Sequence, residues 1–436
     1  MNIKQEIKIR FNDMQTKEDL LVLLNFVRPE IFPDVTFLFT MPQMNRNISY
    51  HTAKAQSNIQ APSYDFDLLE KLGAKIYGRR YTTFQVKKKS GSYRTIHAPN
   101  KGLKAILKCL NFILQAIHTP HKNAMGFVPG KSIVDNARKH EDQNYVYNID
   151  LKDFFPSVDQ ARVRGRLMVA PFHLNTTNER KRLSSIIAIL CCNSMEVERW
   201  DDVENKWVTR TENVLPQGAP TSPTITNMIC ERMDIQLSKL AAAYNCKYSR
   251  YADDITFSSM HNVYQKDSQF IISLNEIIKA QNFHIQEPKT RLQKRGYRQE
   301  VTGLTVNEKV NVDQRYVKEL RHWIYLWERY GYDKATALFA VKYHQSKGHV
   351  KQGKPKIENV IWGKLEYLKM VKGAKNSTYV LLKTRYDALV GGGSADINAM
   401  LDIWEEEGIE AAMHTYNDKI VSKKIEAEIQ QELIVL

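Results

Sequence analysis

Three carboxylates at two places in the chain are candidates for chemistry. The stretch "RYADDITFS" (250–258) sets Asp253 and Asp254 side by side at a tight turn between β-prone runs, and "NIDLKDFFPSV" (148–158) places Asp150 where a short strand ends. Adjacent acids repel, so a fold gains nothing from pairing them. Asp favours turns on its own account, and a solvated surface turn is the bland reading. A bound cation is the sharper one. Carboxylate oxygens on rigid strands suit hard ions such as Mg²⁺, and polymerising nucleotides needs two such ions to bridge the attacking hydroxyl, the transferred phosphate and the leaving pyrophosphate.

Those side chains need a scaffold. "NYVYNIDL" (144–151) reads as a strand, "YSRYADDITFSS" (248–259) as a hairpin with the acids in its turn, and "YTTFQVKKKSGSYRTIHAP" (81–99) as a second hairpin. A third, polar hairpin is expected over 191–214. "KGLKAILKCLNFILQAIH" carries Leu103, Ile106, Leu110, Ile113 and Ile117 at helical spacing. "DLLVLLNFV" also reads as a helix, and another is predicted near 264–281, before a strand-rich patch to about 312. Residues 222–244 read as one helix with Ser222 as N-cap and Pro223 at the first helical position. Residues 41–63 read as a long polar connection. Amphipathic helices follow at 314–330 and 357–372, the second ending at Gly373. The basic stretch 347–356 between them is a breaker-rich loop, and "GGGS" (391–394) is a hinge.

With 436 residues, 43% of them hydrophobic, the chain is globular and long enough for two to four lobes. No apolar run reaches the ~20 residues of a membrane span, no signal peptide is evident, and five cysteines without a CxxC pair exclude a zinc cluster or disulfide framework. A cytosolic protein with no membrane contact is expected. The net charge of +15 is unevenly placed: residues 1–390 carry +22, and the stretch from Gly391 onward carries ten acids against three bases. So basic a body points to a polyanion, most often nucleic acid.

"NIDLKDFF", "LPQGAPTSPTITN" and "RYADD", in this order, resemble the palm motifs of reverse transcriptases. The resemblance covers roughly residues 70–390. It implies an α+β right hand: fingers, a palm of antiparallel sheet plus helices, and a helical thumb, followed by a short helical C-terminal extension. Its domain limits are 1–75 for an N-terminal segment, 76–312 for fingers and palm, 313–390 for the thumb and 391–436 for the extension. It implies that Asp150, Leu151, Asp253 and Asp254 form the site of two Mg²⁺ ions, with Asp254 less directly involved. Phe155 falls where the family keeps an aromatic gate against the sugar's 2′ hydroxyl. Lys88 and Arg94 would reach the triphosphate of a deoxynucleotide, Arg94 by a bidentate fork and Lys88 as a point charge. Gln217 and Gly218 would lie along nucleotide or template, Gly218 because a missing side chain lets backbone come close. Lys289 in "EPKTRL" stands where the family has a lysine thought to protonate pyrophosphate.

Bacterial retron enzymes carry two further marks, and this chain is similar to them in both: "NARKH" (136–140) before the palm and "VTGL" (301–304) after it. The resemblance implies a structured noncoding RNA as template and primer, DNA synthesis begun from the 2′ hydroxyl of an internal guanosine, a branched RNA–DNA product, and a role in antiphage defence with an effector. Asn136 and His140, four apart on a helix, would offer hydrogen bonds to that RNA from one face, and Val301, Thr302 and Gly303 would grip it from the other side. A non-retron defence reverse transcriptase and a catalytically degenerate RNA-binding module remain alternatives. The acidic extension departs from the family pattern, and its net −7 makes a protein contact, with an effector or another copy, the better reading.

Overall fold

Helical periodicity at the N-terminus and alternation further on divide the labour of the first unit. The computed structural model describes residues 2–36, 38–56, 80–87, 91–347 and 355–391, and the chain separates into two units, Met1–Val310 and Asn311–Leu436. Helices α1 (Ile3–Asp13) and α2 (Lys17–Ile31) open the first, α2 behind a capping box of Thr16 and Asp19. Helix α3 (Met41–Gln56) occupies most of the stretch expected to be a polar connection. Met41, Met44 and Ile48 recur at i, i+3 and i+7 among polar neighbours, and Met44 is wholly buried. Three apolar positions were enough to seat a helix that its composition hid; residues 57–63 lie outside the described residues.

The hairpin β1 (Tyr81–Lys87) and β2 (Tyr93–Pro99) pairs in register from Tyr81↔Pro99 to Lys87↔Tyr93. Helix α4 (Lys101–Ile117) buries the whole predicted stripe and packs against α1 and α2. Each Leu or Ile so buried contributes roughly 1.5–3 kcal/mol, which is why a single core runs unbroken from Ile7 to Phe283 and includes the N-terminal helices.

Next come α5 (Ile133–Arg138), β3 (Tyr145–Asp150), α6 (Gln160–Met168) and α7 (Asn178–Cys191). The expected polar hairpin is β4 (Asn193–Asp201) with β5 (Lys206–Val214). The helix predicted over 222–244 is two, α8 (Ser222–Ile229) and α9 (Glu231–Ala243), divided at Cys230. Thr221, not Ser222, is the N-cap, and the Ser222 hydroxyl instead donates to the Pro216 carbonyl at 2.7 Å. Strands β6 (Lys247–Tyr251) and β7 (Asp254–Ser259), helix α10 (Gln269–Ala280) and β8 (Arg291–Lys294) complete a four-stranded antiparallel sheet in the order β6-β7-β3-β8. The two-residue strands β9 (Glu300–Val301) and β10 (Leu304–Thr305) form a small separate hairpin.

The second unit is helical. Helix α11 (Gln314–Lys347) is broken at Gly331, whose φ of 76° ends the predicted helix 314–330 and starts a second one. Helix α12 (Ile357–Lys372) is as expected, and α13 (Ser377–Gly391) follows it. Leu320, Trp323, Phe339, Ile361, Leu365 and Leu368 are buried in this unit, with Trp323 edge-on to Phe339. The extension after Gly391, and most of the basic loop 347–356, lie outside the described residues. Among the described residues no helix is long and apolar enough to cross a membrane.

Candidate active site

Strand β3 ends at Asp150 and β7 begins at Asp254, and the two are cross-strand partners. Only Ala252 and Asp253 form the turn between β6 and β7, so Asp254 belongs to the strand and Asp253 to the turn. The turn is tied to β3 by the Leu151 amide, which donates to the Asp253 carbonyl at 3.0 Å.

What holds so tight a turn is a charge buried beneath it. Arg250, fully buried, donates to both oxygens of Asp234 at 2.8 and 2.7 Å, to Asn227 Oδ1 at 3.1 Å and to the Ala252 carbonyl at 3.1 Å. Tyr248 donates to the same Asp234 at 2.7 Å. Asn227 comes from α8 and Asp234 from α9, so the division at Cys230 lets each helix aim a polar group at one guanidinium. Losing either charge would strand the other, at a cost on the order of 3–5 kcal/mol. From the other side Gly126 presses on the turn: a Cβ there would lie 2.5 Å from the Ala252 nitrogen.

Burial and mutual repulsion both act on the acids. Burial, and then the charge of Asp150, raises the Asp253 carboxyl above its usual range, while Lys289 and Arg94 draw it back. Burial, and then Asp253, pushes Asp254 up to about 7. Lys289, in a short 3₁₀ turn (Glu287–Lys289), places Nζ 2.7 Å from Asp150 Oδ1. Desolvated carboxylates that repel one another fit a divalent cation. Among the described residues no three His, Cys, Asp or Glu side chains close on one point. Mg²⁺ is commonly bound by one or two carboxylates and takes its remaining oxygens from water and phosphate. Asp150 and Asp253 could hold such an ion; Leu151 has a buried side chain and could contribute only its carbonyl.

Of the predicted residues, Lys289 and Arg94 act on the acids, and the others are placed by contacts of their own. Phe154 is buried and stacks on Phe283, whereas Phe155 is partly exposed, its ring 5.5 Å from Phe154 and 6.1 Å from the exposed Phe127. Arg94, exposed on β2, is near enough to act on Asp253. Lys88 lies outside the described residues. Gln217 accepts from the His97 amide at 2.8 Å through its carbonyl, which docks the loop 215–220 on β2. Gly218 is corrected in its reason. Its φ is +127°, and a Cβ would lie 2.6 Å from the His97 carbonyl, so the close approach that requires glycine is to the protein's own hairpin.

The RNA-facing reading is corrected for Asn136, His140 and Val301, which are buried, whereas Thr302 is partly exposed and Gly303 is exposed. Helix α5 stops at Arg138, so Asn136 and His140 share no helix face. His140 is fully buried, its ring nitrogens each 2.7 Å from a hydroxyl, Ser258 and Ser249. Asn136 is buried too and donates to Thr302 Oγ1 at 3.4 Å, while Thr302 donates to the Ile133 carbonyl at 3.3 Å. Val301 is buried, and Thr302 and Gly303 form a turn with positive φ. "NARKH" and "VTGL" therefore clasp each other and pin α5 on the small hydroxyl face of β6 and β7. Sequence reasoning missed Arg250, Asp234, Asn227 and Gly126. The available signal was an arginine inside a short β-prone run, which needs a counter-charge if that strand is buried.

A family model described as reverse transcriptase (RNA-dependent DNA polymerase) matches residues 86–306. Among curated proteins the chain is similar to the Retron Mx65 reverse transcriptase of Myxococcus xanthus, 36% identical over 56% of this chain and 55% of that one. It is 37% identical to the Retron Mx162 reverse transcriptase of the same organism, over 52% of this chain and 47% of the relative. To the Retron Ec86 reverse transcriptase of Escherichia coli it is 33% identical, over 56% and 68%. The chain thus spans about half the length of the first two relatives and about two thirds of the third. Among solved structures, telomerase from Candida albicans aligns with a TM-score of 0.39 at 10% identity, over 74% of this chain and 67% of that one; so loose a likeness carries no argument.

Proposed function

The chain belongs to the reverse transcriptase family, of the retron type, and from that membership we propose that it is an RNA-directed DNA polymerase that copies a structured noncoding RNA. The observation that carries the reading is the meeting of Asp150 and Asp254 across β3 and β7, with Asp253 in the adjoining turn, where burial and mutual repulsion raise the carboxyls of Asp253 and Asp254. Two Mg²⁺ ions bound there would supply the positive charge that activates the attacking hydroxyl and stabilises the leaving pyrophosphate. The chain's own residues do the rest. Asp150 and Asp253 hold the ions, and Arg250 keeps their turn in place. Arg94 and Lys289 flank the acids from β2 and from the 3₁₀ turn, Arg94 as a fork for phosphate oxygens and Lys289 as the proton donor to pyrophosphate. Phe155 closes the space at C2′ of the incoming nucleotide, so deoxynucleotides are preferred. Gln217 and Gly218 brace the nucleotide-side loop against the hairpin that carries Arg94.

The finer reading is retron-type: synthesis primed from an RNA 2′ hydroxyl, a branched RNA–DNA product and antiphage defence, with the acidic extension contacting an effector or a second copy. Asp150→Asn should leave the protein folded and RNA-bound while DNA synthesis on a primed RNA template with Mg²⁺ falls by orders of magnitude. Extension at the wild-type rate would sink the site assignment. A wholly linear product on the cognate RNA would sink the retron priming and leave the polymerase standing.

A further inference from the structure

Once Asn136 and His140 are turned inward, the motif they belong to still has an outer side. Lys139 is half-buried, and its ammonium donates to Asn123 Oδ1 at 2.7 Å; the Asn123 amide in turn donates to Ser238 Oγ at 2.8 Å. Beside it the Lys131 ammonium spans the carbonyls of Lys122 and Ala124, 2.9 Å from each. Lys122 itself is exposed at the rim. Three lysines so gather on the loop 121–125, and that loop is no loose surface segment. Arg250 of β6 donates its amide to the Asn123 carbonyl at 2.9 Å and accepts from the Met125 amide at 2.8 Å, three residues before Asp253.

The acids nearest this cluster are engaged elsewhere. Asp135 accepts from the Ser132 amide and hydroxyl as the cap of α5, and Asp234 is buried against Arg250. Among the described residues none of the three lysines forms an ion pair. Burial, reinforced by the charges of Lys131 and Lys122, brings the Lys139 ammonium down to about 8. A lysine with no task keeps its stem on the surface and its charge in water. Lys131 and Lys139 instead hold their charges at fixed points on a rigid loop, at an electrostatic cost that an anion would reverse.

We propose that Lys122, Lys131 and Lys139 form a binding site for the backbone phosphates of RNA, on the β6 edge of the sheet that carries the acids. The proposal rests on the reading of this chain as an RNA-copying polymerase. Compact ammonium groups at fixed separation suit phosphodiester oxygens and read no base, so the site positions an RNA without selecting its sequence. The retron mark then acts in two layers: Asn136 and His140 anchor the segment, and Lys139 between them faces the ligand.

The test is a fluorescence-anisotropy titration of a labelled RNA stem–loop with a single-stranded tail, repeated over a series of NaCl concentrations. Lys122→Gln with Lys139→Gln should bind about tenfold or more weakly, and the slope of log affinity against log salt should shrink by about 2, close to one per lost phosphate contact. Lys122→Arg with Lys139→Arg should keep the wild-type slope, and so should a control that removes two exposed charges elsewhere, Lys181→Gln with Lys266→Gln. The melting temperature of the Lys122→Gln, Lys139→Gln protein should hold or rise, because like charges are relieved, whereas a merely structural role would lower it. If wild type binds the stem–loop and this variant matches it in affinity and slope, the lysine site is wrong and the polymerase reading survives. If inorganic phosphate stabilises wild type to heat while the variant's RNA slope is unaltered, the cluster takes a lone anion and the proposal fails. Wild type that binds no RNA would bring down the parent reading and this one together.

Discussion

Phe155 and His140 show how two side chains in neighbouring segments serve different ends. Phe155 keeps part of its ring exposed beside Phe127, while Phe154 is given to the core. Discrimination by a ring is steric, so Phe155→Ala should admit ribonucleotides. The measurement is the kcat/KM ratio for dGTP over GTP in both proteins; an unchanged ratio would make Phe155 packing only. His140 is held neutral between two serine hydroxyls, and burial, with Lys139 and Lys247 adding to it, brings its pKa down to about 3. The unfolded chain takes up a proton near pH 6.5 and the folded one does not, so stability is full above that pH and declines as pH falls toward about 3. At pH 5 the loss from this one group should be about 2 kcal/mol. Urea midpoints of wild type and His140→Gln, compared from pH 7 to pH 5, should converge; a constant difference would show that the ring is not held neutral.

At the level of elements, the turn 252–253, which carries Asp253, is over-determined. Ala252 sits at a φ of 58°, a strained place for a residue with a Cβ. Arg250 holds it from below, the Leu151 amide from β3, and the backbone of Gly126 lies so close beside it that a Cβ would clash with Ala252 and Tyr251. Gly126→Ala should push the turn away from β3, since the new methyl would meet main-chain atoms that cannot rotate aside. Displacements of about 1 Å near reacting groups can cost ~10²-fold in rate. We therefore expect nucleotide incorporation to drop by about that factor while the far-ultraviolet circular dichroism is retained. A variant that incorporates at the wild-type rate would show that the turn is not held by this contact.

For the molecule as a whole, charge is unevenly distributed, and a polyanion would favour the basic part over the acidic one. Residues 1–390 carry +22 and the stretch from Gly391 carries −7. Every residue assigned to the site precedes Gly391. Removing residues 391–436 should accordingly leave extension of a primed RNA template at its wild-type rate, checked on protein confirmed to be folded. A folded but inactive truncation would overturn the assignment of the extension to protein contacts.

Composition, periodicity and short motifs were enough for what depends on neighbours in the chain. The stripe of α4, the hairpins 81–99 and 191–214, the strand ending in Asp150 and the family itself were all legible in this way, because spacing of 2 or 3.6 is a local property. Motif order also marked Asp150, Asp253 and Asp254 for the site. What the sequence left open was decided by residues that meet across long separations. His140 reads as a ligand for RNA until Ser249 and Ser258, 109 and 118 positions away, enclose it. Gly218 reads as space for a nucleotide until His97 occupies it. Arg250 reads as one basic residue among 63 until Asp234 and Asn227 arrive from two helices. A buried polar group takes its meaning from the partner that satisfies it, and in this chain that partner is supplied only when the sheet and its covering helices close.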